Sequence, residues 1–593
     1  RREAVNPAQT GTRAAAHYRL TLKARGSATL LLRLASEADV QTSLGLRQVE
    51  ATLAERRREA DAFFALRAPA RATEDERSVL RQGYASLLWS RQFYAFDVAR
   101  WREGDPAQPK PPAARLEGRN RDWTHVRHED LLSVPDKWEY PWYAAWDLAF
   151  HMIPLAALDI ADARRQLCVL LEDRALHPSG QIPAYEFGFG DVNPPVHAWA
   201  CLRVYALGGG RDDPASREFL ESVFPPLLRN FHWWRQHESR GDNGLPGGGF
   251  LGLDNVSAFE RGVPPPSGGR LEQADGAGWL AFLALSMLEM AVEVAAARES
   301  ARTGDATRDI ESVDAAAVEC LAAFDEIEAA INRSQGGGAW HEEDGFFYDH
   351  VNRDGERIPL RIRSVVGLIP ALAVCPLNPG DAARLPRLQG ALAGRAFLSV
   401  VSKHQLERLL TEVANEDLLL GPTGVRSLSK RHREAPFVFA ASGNEYRCEY
   451  APDDSRTSAF GINSNWRGPV WLPLNHLLIE ALRRYSMAWG ADVPVTLRGP
   501  NAVARGVSLD GLADEIERRL ASTFLRGADG ERPCHRGLSR YQDDPHFKDL
   551  VLFHEYFSGD TGRGFGASHQ TGWSTLALAA VENRARARED TAP

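Results

Sequence analysis

The segment Asp136–His151, which reads DKWEYPWYAAWDLAFH, combines aromatic and acidic residues at high density. Five aromatic residues fall within nine positions, and the carboxylates Glu139 and Asp147 lie among them. Sugars present C–H faces that stack on aromatic rings and hydroxyls that need polar acceptors, so this composition favours a carbohydrate site. The alternative is an amphipathic helix start with Pro141 in its first turn, although such a helix needs only one apolar stripe.

Four other segments repeat this mixture of polar groups with Trp, Tyr, Phe, Gly and Asn. Any one of them alone could be a capped loop whose polar groups are satisfied by the backbone. Together they predict one shared polar-aromatic cleft. The four segments are Gly180–Trp199, Phe250–Glu260, Ile462–Trp471 and Leu552–Trp573.

Carboxylates among aromatic rings, without metal-ligand spacing, point to glycoside hydrolysis. That reaction needs a protonated acid for the leaving oxygen and an ionised carboxylate that acts on water or on the anomeric carbon. The chain has no H-E-x-x-H motif and no paired Cys/His set, so we expect no metal and no cofactor. Gly241–Gly249 lacks the Lys-Ser/Thr ending of a phosphate loop. This segment is better explained as a turn than as a loose set of calcium ligands.

The composition is that of a globular protein, with 44% hydrophobic and 25% charged residues in 593. A net charge of −9 over this length argues against a nucleic-acid groove. No apolar run approaches the ~20 residues of a membrane span, so we expect neither a nucleic-acid nor a membrane partner. Six widely spaced cysteines indicate reduced thiols and a cytoplasmic location. Because the sequence begins with Arg1, we expect that an N-terminal part has been removed.

The elements that must position these segments are mostly helices. Residues 1–36 differ, because His17–Lys23 and Thr29–Leu34 flank a Gly-Ser turn and predict a β-hairpin. Thr73 with Glu76 predicts a capping box ahead of a long helix. Helical patterns then alternate with long loops rich in Gly, Pro and aromatics, and loops of that length are usually functional. This organisation favours about twelve helices, paired as hairpins in a closed ring, with the long loops on one rim.

The motifs WDLAFH, GLDN, NWRGPVW and the E-Y-F…G-D-T-G…G-W run occur in an order that resembles glycoside hydrolase family 63. The likeness spans roughly residues 75–585. It is greatest to the long bacterial members labelled glucosidase; the family also contains processing α-glucosidase and mannosylglycerate and glucosylglycerate hydrolases. The resemblance implies an all-α (α/α)6 barrel over residues 37–593, with residues 1–36 as the last strands of a truncated N-terminal β-sandwich.

The resemblance further implies an inverting, exo-acting α-glycosidase that releases a terminal α-linked glucose from an oligosaccharide or small glycoside. It places the general acid at Asp254, in the G-x-D-N loop, and the general base at Glu555. We expect burial to raise the pKa of Asp254, and we expect Glu555 to stay ionised. Nine further residues are expected to contact the sugar: Tyr140, Trp142, Trp146, Asp147, Gln181, His197, Trp466, Arg467 and Trp573.

Three alternatives stay open from the sequence. Within the same chemistry, the enzyme would be an α-mannosidase-like or glycosylglycerate hydrolase. Outside it, the chain would be a carbohydrate-binding toroid without turnover, which the presence of both Asp254 and Glu555 disfavours. A helical-toroid phosphorylase would need a phosphate pocket in place of the base, and Glu555 speaks against it. The sequence does not determine the oligomeric state.

Overall fold

The computed structural model describes residues 46–237, 251–301, 306–334, 337–455, 464–499 and 503–590, with parts of 5–38 and 244–249. Helices form most of the regular structure. Seventeen α-helices follow one another along the chain: α1 Leu46–Ala65, α2 Glu74–Trp89, α3 Val98–Glu103, α4 Ala145–Ala156, α5 Ile160–Val169, α6 His197–Leu207, α7 Pro214–His237, α8 Ala274–Ala301, α9 Ala306–Ile331, α10 Pro379–Ala382, α11 Pro386–Leu392, α12 Lys403–Val413, α13 Leu472–Trp489, α14 Leu509–Ser522, α15 Ser539–Asp543, α16 Thr571–Ser574 and α17 Ala577–Asp590.

The strands are short, and the pairs that they form within the described residues are all antiparallel. This pairing agrees with the absence of strand–helix alternation in the sequence. The strands are β1 Arg91–Asp97, β2 Arg127–Ser133, β3 Arg270–Glu272, β4 Trp340–His341, β5 Phe346–Phe347, β6 Asp349–Arg353, β7 Glu356–Leu360, β8 Val374–Pro376, β9 Phe397–Ser399, β10 Leu420–Gly421, β11 Gly424–Val425, β12 Phe437–Ala441, β13 Asn444–Cys448, β14 Val495–Arg498, β15 Ala504–Val507, β16 Tyr556–Phe557 and β17 Gly564–Phe565.

The chain divides into two compact units, Arg1–Arg67 and Ala68–Pro593. This division lies after α1, while the boundary at residue 37 that the resemblance implies stays a prediction. None of the described side chains of α1 is buried. Val49, Ala60 and Phe64, on one apolar face of α1, are half-buried.

The N-terminal hairpin is only partly formed. Residues 24 and 25 make a turn, closed by the Gly26 N–H, which donates to the Lys23 carbonyl at 2.8 Å. Neither predicted strand is present among the described residues 14–32. Leu20, Leu22 and Leu32 on these segments are exposed, and an isolated two-stranded hairpin is marginal in water when no partner covers its apolar face. Membership of a β-sandwich stays a prediction.

Within the second unit, the helices contact one another in a closed order. α4 contacts α6, α6 contacts α8, and α8 contacts a 3₁₀ turn at Ile369–Leu372. That turn contacts α13, α13 contacts α16, and α16 returns to α4. Four of these inner helices also contact the helix that follows them in sequence: α4 with α5, α6 with α7, α8 with α9 and α13 with α14. Helical hairpins therefore surround a common centre, while the six-pair count stays a prediction.

Helix α8 is the most apolar element of this core. Its stretch Ala274–Glu299 is long and apolar enough to cross a membrane by length and composition alone, but 89% of its most apolar window is buried inside the protein. Trp279 is fully buried, and α8 packs against α6, α7 and α9. Burial against three neighbours explains a helix that is apolar on all faces. All six cysteines are free thiols, as the sequence predicts.

The predicted capping box at the start of α2 is formed and reaches across to α17. Thr73 and Glu76 exchange the two expected hydrogen bonds. The Glu76 carboxylate, which is nearly inaccessible, also accepts from Arg588 on α17. Burial raises the pKa of Glu76, but the Thr73 hydrogen bond and the Arg588 charge outweigh it, so the net pKa lies below its ordinary value.

We expect Glu76→Ala to lower the free energy of unfolding by about 2 kcal/mol, through loss of the cap and of a partly buried charged hydrogen bond. Glu76→Gln keeps the capping geometry and loses only the charge, so its loss should be about half as large. Because the pKa of Glu76 is lowered on folding, its stabilisation is present above the unfolded pKa and is lost as the pH falls through the folded pKa. Urea unfolding at pH 7 and pH 4 measures the loss of stability in each variant and its dependence on pH. Equal stability of wild type and both variants at pH 7 would contradict the prediction, and Glu74→Ala, at an exposed first-turn position, serves as the control.

Candidate active site

All five polar-aromatic segments meet around one cavity of about 480 Å³. They lie ahead of α4, α6, α8 and α13, and around β16 and α16. Loops of one rim therefore supply the whole lining, as a ring of helical hairpins allows. The lining residues are Pro135, Tyr140, Trp142, Ala144, Trp146, Asp147, Tyr185, Asn193, Gly252, Asp254, Ser464, Trp466, Trp471, Glu555, Gln570 and Trp573.

Asp254 lies in a loop that turns at Gly252. The backbone of Gly252 is left-handed, with φ +70°, and a Cβ there would lie 2.9 Å from the Trp146 ring. Only glycine permits both the left-handed backbone and the close approach of this backbone to the Trp146 ring. Burial raises the pKa of Asp254 to about 6, while the side chains of Ser464 and Trp466 oppose the rise in part. A carboxyl of that pKa can still carry a proton near neutral pH, as a proton donor must.

Glu555 directly precedes β16, which pairs with β17. Its Oε2 atom accepts a hydrogen bond from the Ala567 N–H at 3.0 Å. Gly566 makes this contact possible, because its φ is +68° and a Cβ there would lie 2.5 Å from the same oxygen. The residues that directly follow β17 therefore fix the Glu555 carboxyl against the cavity.

The pKa of Glu555 is raised well above its ordinary value. Burial is the main cause, and the negative charges of Asp254, Asp147 and Glu139 add to it, while the Ala567 N–H opposes it. The sequence-based expectation that Glu555 stays ionised took no account of these neighbours. Since interacting carboxyls titrate together, a proton on Asp254 removes one repulsive charge and favours the ionised form of Glu555.

Asp147 is the third carboxyl of the cavity and lies in the first turn of α4. Its Oδ1 atom accepts a hydrogen bond from the Gln570 Nε2 at 2.9 Å. Burial raises the pKa of Asp147 to about 7. With its second oxygen outside this bond, Asp147 can accept hydrogen bonds from a polyhydroxyl ligand.

Four indole rings form a continuous surface on one side of the cavity, here called the aromatic wall and made of Trp146, Trp466, Trp471 and Trp573. Trp466 and Trp471 stack with ring centroids 3.9 Å apart and planes 4° apart. Trp573 contacts both Trp471 and Trp146 edge-on, with centroids 5.6 Å apart in each case. Such packing leaves the rings little rotational freedom, so the wall is preorganised for stacking.

Arg467 does not line the cavity, although the sequence predicted a sugar contact. Its Nε donates to the Asn255 carbonyl and its Nη2 to the Ser257 carbonyl, each at 2.7 Å. The Asn255 side chain in turn accepts from the Trp466 N–H at 2.6 Å and donates to Asn465 at 3.0 Å. The guanidinium therefore fastens the Asp254 loop to the loop that carries Trp466.

Gln181 and His197 also lie outside the lining of the main cavity. Both line a separate small cavity of about 40 Å³. The Gln181 amide donates to the carbonyls of Gly190 and Asp191 at 3.1 and 3.3 Å. The His197 Nε2 lies 3.0 Å from the Leu167 carbonyl, and burial lowers the pKa of His197 to about 4, so the ring is neutral. The Gln181 amide and the His197 Nε2 are thus bonded to backbone, while the buried His197 Nδ1 has no hydrogen-bond partner among the described residues. Their sugar contacts stay a prediction.

Five polar or aromatic lining residues were not among the predicted site residues: Tyr185, Asn193, Ser464, Trp471 and Gln570. Each lies within one of the five segments, so composition located the segments but not these members. Trp471 closes the NWRGPVW motif and could have been inferred from its stacking potential. Gln570 could not, because its partner Asp147 is 423 positions away in sequence.

The ionisable groups that line the cavity, among the described residues, are three carboxyls and two tyrosines, with no Lys, Arg or His. Within the same described part of the chain, no group of three or more His, Cys, Asp or Glu side chains could hold a metal ion. The lining therefore suits an uncharged polyhydroxyl ligand and can transfer protons between it and water.

Residues 140–574 match the family described as mannosylglycerate hydrolase MGH1-like glycoside hydrolase domain. A protein of uncharacterised function from Saccharomyces cerevisiae is 39% identical over 97% of this chain, and the chain spans 56% of that protein. A probable mannosyl-oligosaccharide glucosidase from Schizosaccharomyces pombe is 22% identical over 61% of this chain, or 34% of its own length. The chain thus spans about half or less of these relatives, both fungal, and a bacterial origin stays a prediction.

Two solved structures illustrate the matches among known folds. A GH63 mannosylglycerate hydrolase from Thermus thermophilus in complex with glucose is 16% identical, with a TM-score of 0.45, over 75% of this chain and 95% of that one. Neutral trehalase from Saccharomyces cerevisiae is 13% identical, with a TM-score of 0.44, over 75% of this chain and 74% of that one.

We expect Arg467→Met to lower the free energy of unfolding by about 3 kcal/mol or more, because two buried carbonyls lose a charged donor. Arg467→Lys should lose less, since an ammonium can still reach one of the two carbonyls. Urea unfolding followed by tryptophan fluorescence measures both variants. Arg447→Met, at an exposed position of β13, is the control, and we expect a change within about 0.5 kcal/mol. A loss in Arg467→Met no larger than in this control would contradict the clamp.

Proposed function

This chain belongs to the family of mannosylglycerate hydrolase MGH1-like glycoside hydrolase domains, as its resemblance to glycoside hydrolase family 63 predicts, and we propose that it hydrolyses an α-glycosidic bond with inversion. We propose that it is exo-acting and releases a terminal α-linked glucose. The single observation that carries the proposal is that Asp254 and Glu555, 301 positions apart in sequence, face one cavity whose burial raises both pKa values.

Asp254 is the proposed general acid. Its raised pKa keeps a proton available for the oxygen that leaves the anomeric carbon. Glu555 is the proposed general base, which takes a proton from the attacking water as that water bonds to the anomeric carbon. After one turnover Asp254 has lost a proton and Glu555 has gained one, so the pair resets by proton exchange with solvent.

The mutual repulsion of the carboxyls supports this division of roles. A cavity with a single ionised carboxyl avoids the like-charge repulsion that raises the pKa of Glu555. In the productive state Asp254 is protonated and Glu555 is ionised. The Ala567 N–H donates to Glu555 and stabilises its charge, and the proposed roles require that the proton lies on Asp254 when the substrate is bound.

The sugar cradle is the second part of the proposal. We propose that the terminal sugar stacks on the aromatic wall and that Asp147 and Gln570 accept and donate hydrogen bonds to its hydroxyls. Tyr140 and Trp142, in contact with each other at a centroid distance of 5.5 Å, line the same cavity and add two further rings. An ionised or hydrogen-bonded acceptor next to an aromatic ring matches the alternation of C–H faces and hydroxyls on a pyranose.

Hydrolysis of a glycosylglycerate is the second candidate, because the matching family is described by mannosylglycerate hydrolase. The lining speaks against it. A glycerate carboxylate would enter a cavity that already holds Asp147, Asp254 and Glu555, and like charges in a low-dielectric site repel strongly. We therefore propose an uncharged aglycone, such as a further sugar unit.

The proposal also includes a more detailed fold and a cellular location. We propose that the hairpins complete an (α/α)6 barrel, which would gather every long loop on one rim. The first residues of the chain would belong to a β-sandwich that precedes the barrel. Free thiols at all six cysteines support a cytoplasmic location.

Asp254→Asn and Glu555→Gln should each lower kcat by at least about 10²-fold, the usual scale for the loss of a general acid or base. Both substitutions keep the side-chain volume, so unfolding midpoints should stay close to wild type. An activated substrate with a good leaving group, such as a nitrophenyl α-glucoside, should rescue Asp254→Asn more than Glu555→Gln, because it needs less protonation of the leaving oxygen. Near-wild-type rates in either variant would remove that residue from its role.

The first sugar released from an α-glucoside should be the β-anomer, since water attacks the face opposite the leaving group. Proton NMR of the anomeric signals within the first minutes of reaction measures this directly. Running α-glucosides, α-mannosides and glycosylglycerates in parallel identifies the substrate. Initial release of the α-anomer would overturn inversion, and a preference for glycosylglycerate would overturn the uncharged aglycone.

A further inference from the structure

Two tryptophans near the cavity are exposed to solvent to an unusual degree. Trp89, the last residue of α2, is 71% exposed, and Trp138 is 70% exposed. The Lys137 ammonium lies 5.7 Å from the Trp89 ring centroid and 5.6 Å from that of Trp138. These three residues are called the rim platform here. The two rings therefore lie on either side of one cation, close enough for a single ligand to touch both.

Asp136 holds the backbone of the rim platform at Trp138. Asp136 is buried, and its Oδ1 atom accepts from the N–H groups of Trp138 and Glu139 at 2.6 and 2.8 Å. Its Oδ2 atom accepts from the His569 N–H at 2.8 Å, which ties this segment to the one that carries Gln570. A side chain that starts from a fixed backbone loses less freedom when it binds a ligand.

The platform also adjoins the cavity. Only one residue, Glu139, separates Trp138 from Tyr140, which lines the cavity, so at most about 7 Å of backbone lies between them. On the other side, burial lowers the pKa of His569, the neighbour of the lining residue Gln570, and the charge of Lys137 adds a smaller lowering that Asp136 opposes. Lys137 and Trp138 therefore stand next to two separate parts of the cavity lining.

We propose that the rim platform binds the sugar units that continue the substrate beyond the bond to be cleaved. The ligand is an uncharged oligosaccharide whose units stack on Trp138 and Trp89 and whose hydroxyls accept hydrogen bonds from Lys137. This choice of ligand rests on the proposed function, because an exo-acting enzyme holds the terminal sugar inside and leaves the rest of the chain at the mouth. Indole rings offer C–H-stacking faces, and the lysine offers donors that a sugar chain can use without carrying charge.

We expect the rim platform to affect the affinity for long chains and not the choice of terminal sugar. Trp138→Ala should therefore raise KM for α-linked glucose oligomers of four to six units by about tenfold, which corresponds to 1.4 kcal/mol. KM for a methyl or nitrophenyl α-glucoside should not change, and kcat should be unchanged for both. Trp138→Phe should retain part of the affinity for long chains. Met487→Ala, at a residue that is also 70% exposed, is the matched control and should change neither.

Binding is measured separately from turnover, by calorimetric titration of the same oligomers into Glu555→Gln with and without Trp138→Ala. Weaker binding of long chains only, in the double variant, supports the platform. Equal binding of long chains to both variants overturns it, as does an equal loss for long and short ligands. If wild type cleaves short α-glucosides but Trp138→Ala leaves long chains unaffected, the platform fails and the proposed function stands. If no α-glycoside is cleaved but long chains bind through Trp138, the platform stands and the proposed function fails.

Discussion

The hydrogen bonds from Arg467 to the carbonyls of Asn255 and Ser257 hold two loops together on which the whole site depends. One loop carries Asp254, and the other carries Trp466 and leads into α13. These loops come from different parts of the ring and have no regular secondary structure to align them. A buried guanidinium solves this problem, because it satisfies carbonyls that would otherwise be unpaired and fixes the distance between the loops at the same time. The position of the acid relative to the aromatic wall is therefore set by a backbone clamp.

Three carboxyls line the cavity, although the proposed reaction needs only one of them to be ionised. Asp147 and Asp254 have pKa values raised to about 7 and 6, and that of Glu555 is raised as well. Burial alone would favour three neutral acids. Local donors oppose this rise at each carboxyl: Gln570 at Asp147, Ser464 and Trp466 at Asp254, and the Ala567 N–H at Glu555. A cavity crowded with carboxyls admits neutral sugars more readily than anions.

Local sequence patterns predicted most of the elements and all five segments of the cavity. The capping box at Thr73 and Glu76 is a short-range signal, and it is present. Trp146, Asp147, Asp254 and Glu555 lie in motifs and line the cavity. Composition could not tell which polar residues turn inward, so Gln181 and His197 were assigned to the site although they bond to backbone nearby. Arg467 and Gln570 depend on partners more than 200 positions away, which no local pattern encodes. The two N-terminal strands were predicted from a local pattern but are not formed in the described residues, because an alternating pattern forms a ladder only when its apolar face is covered.

The closed order of helix contacts has a consequence for how the protein is made. α16 and α17 return to α2 and α4, which precede them by more than 400 residues. During synthesis, α4 and the Asp254 loop emerge long before Glu555, Gln570 and Trp573. A growing chain therefore exposes part of the cavity lining, and the uncovered sides of α2 and α4, for tens of seconds at ordinary rates of translation, about 5–20 residues per second. Glu555 joins the cavity only when the ring closes, so an unfinished chain lacks the complete set of carboxyls. The open ring is the state most exposed to aggregation and to chaperones.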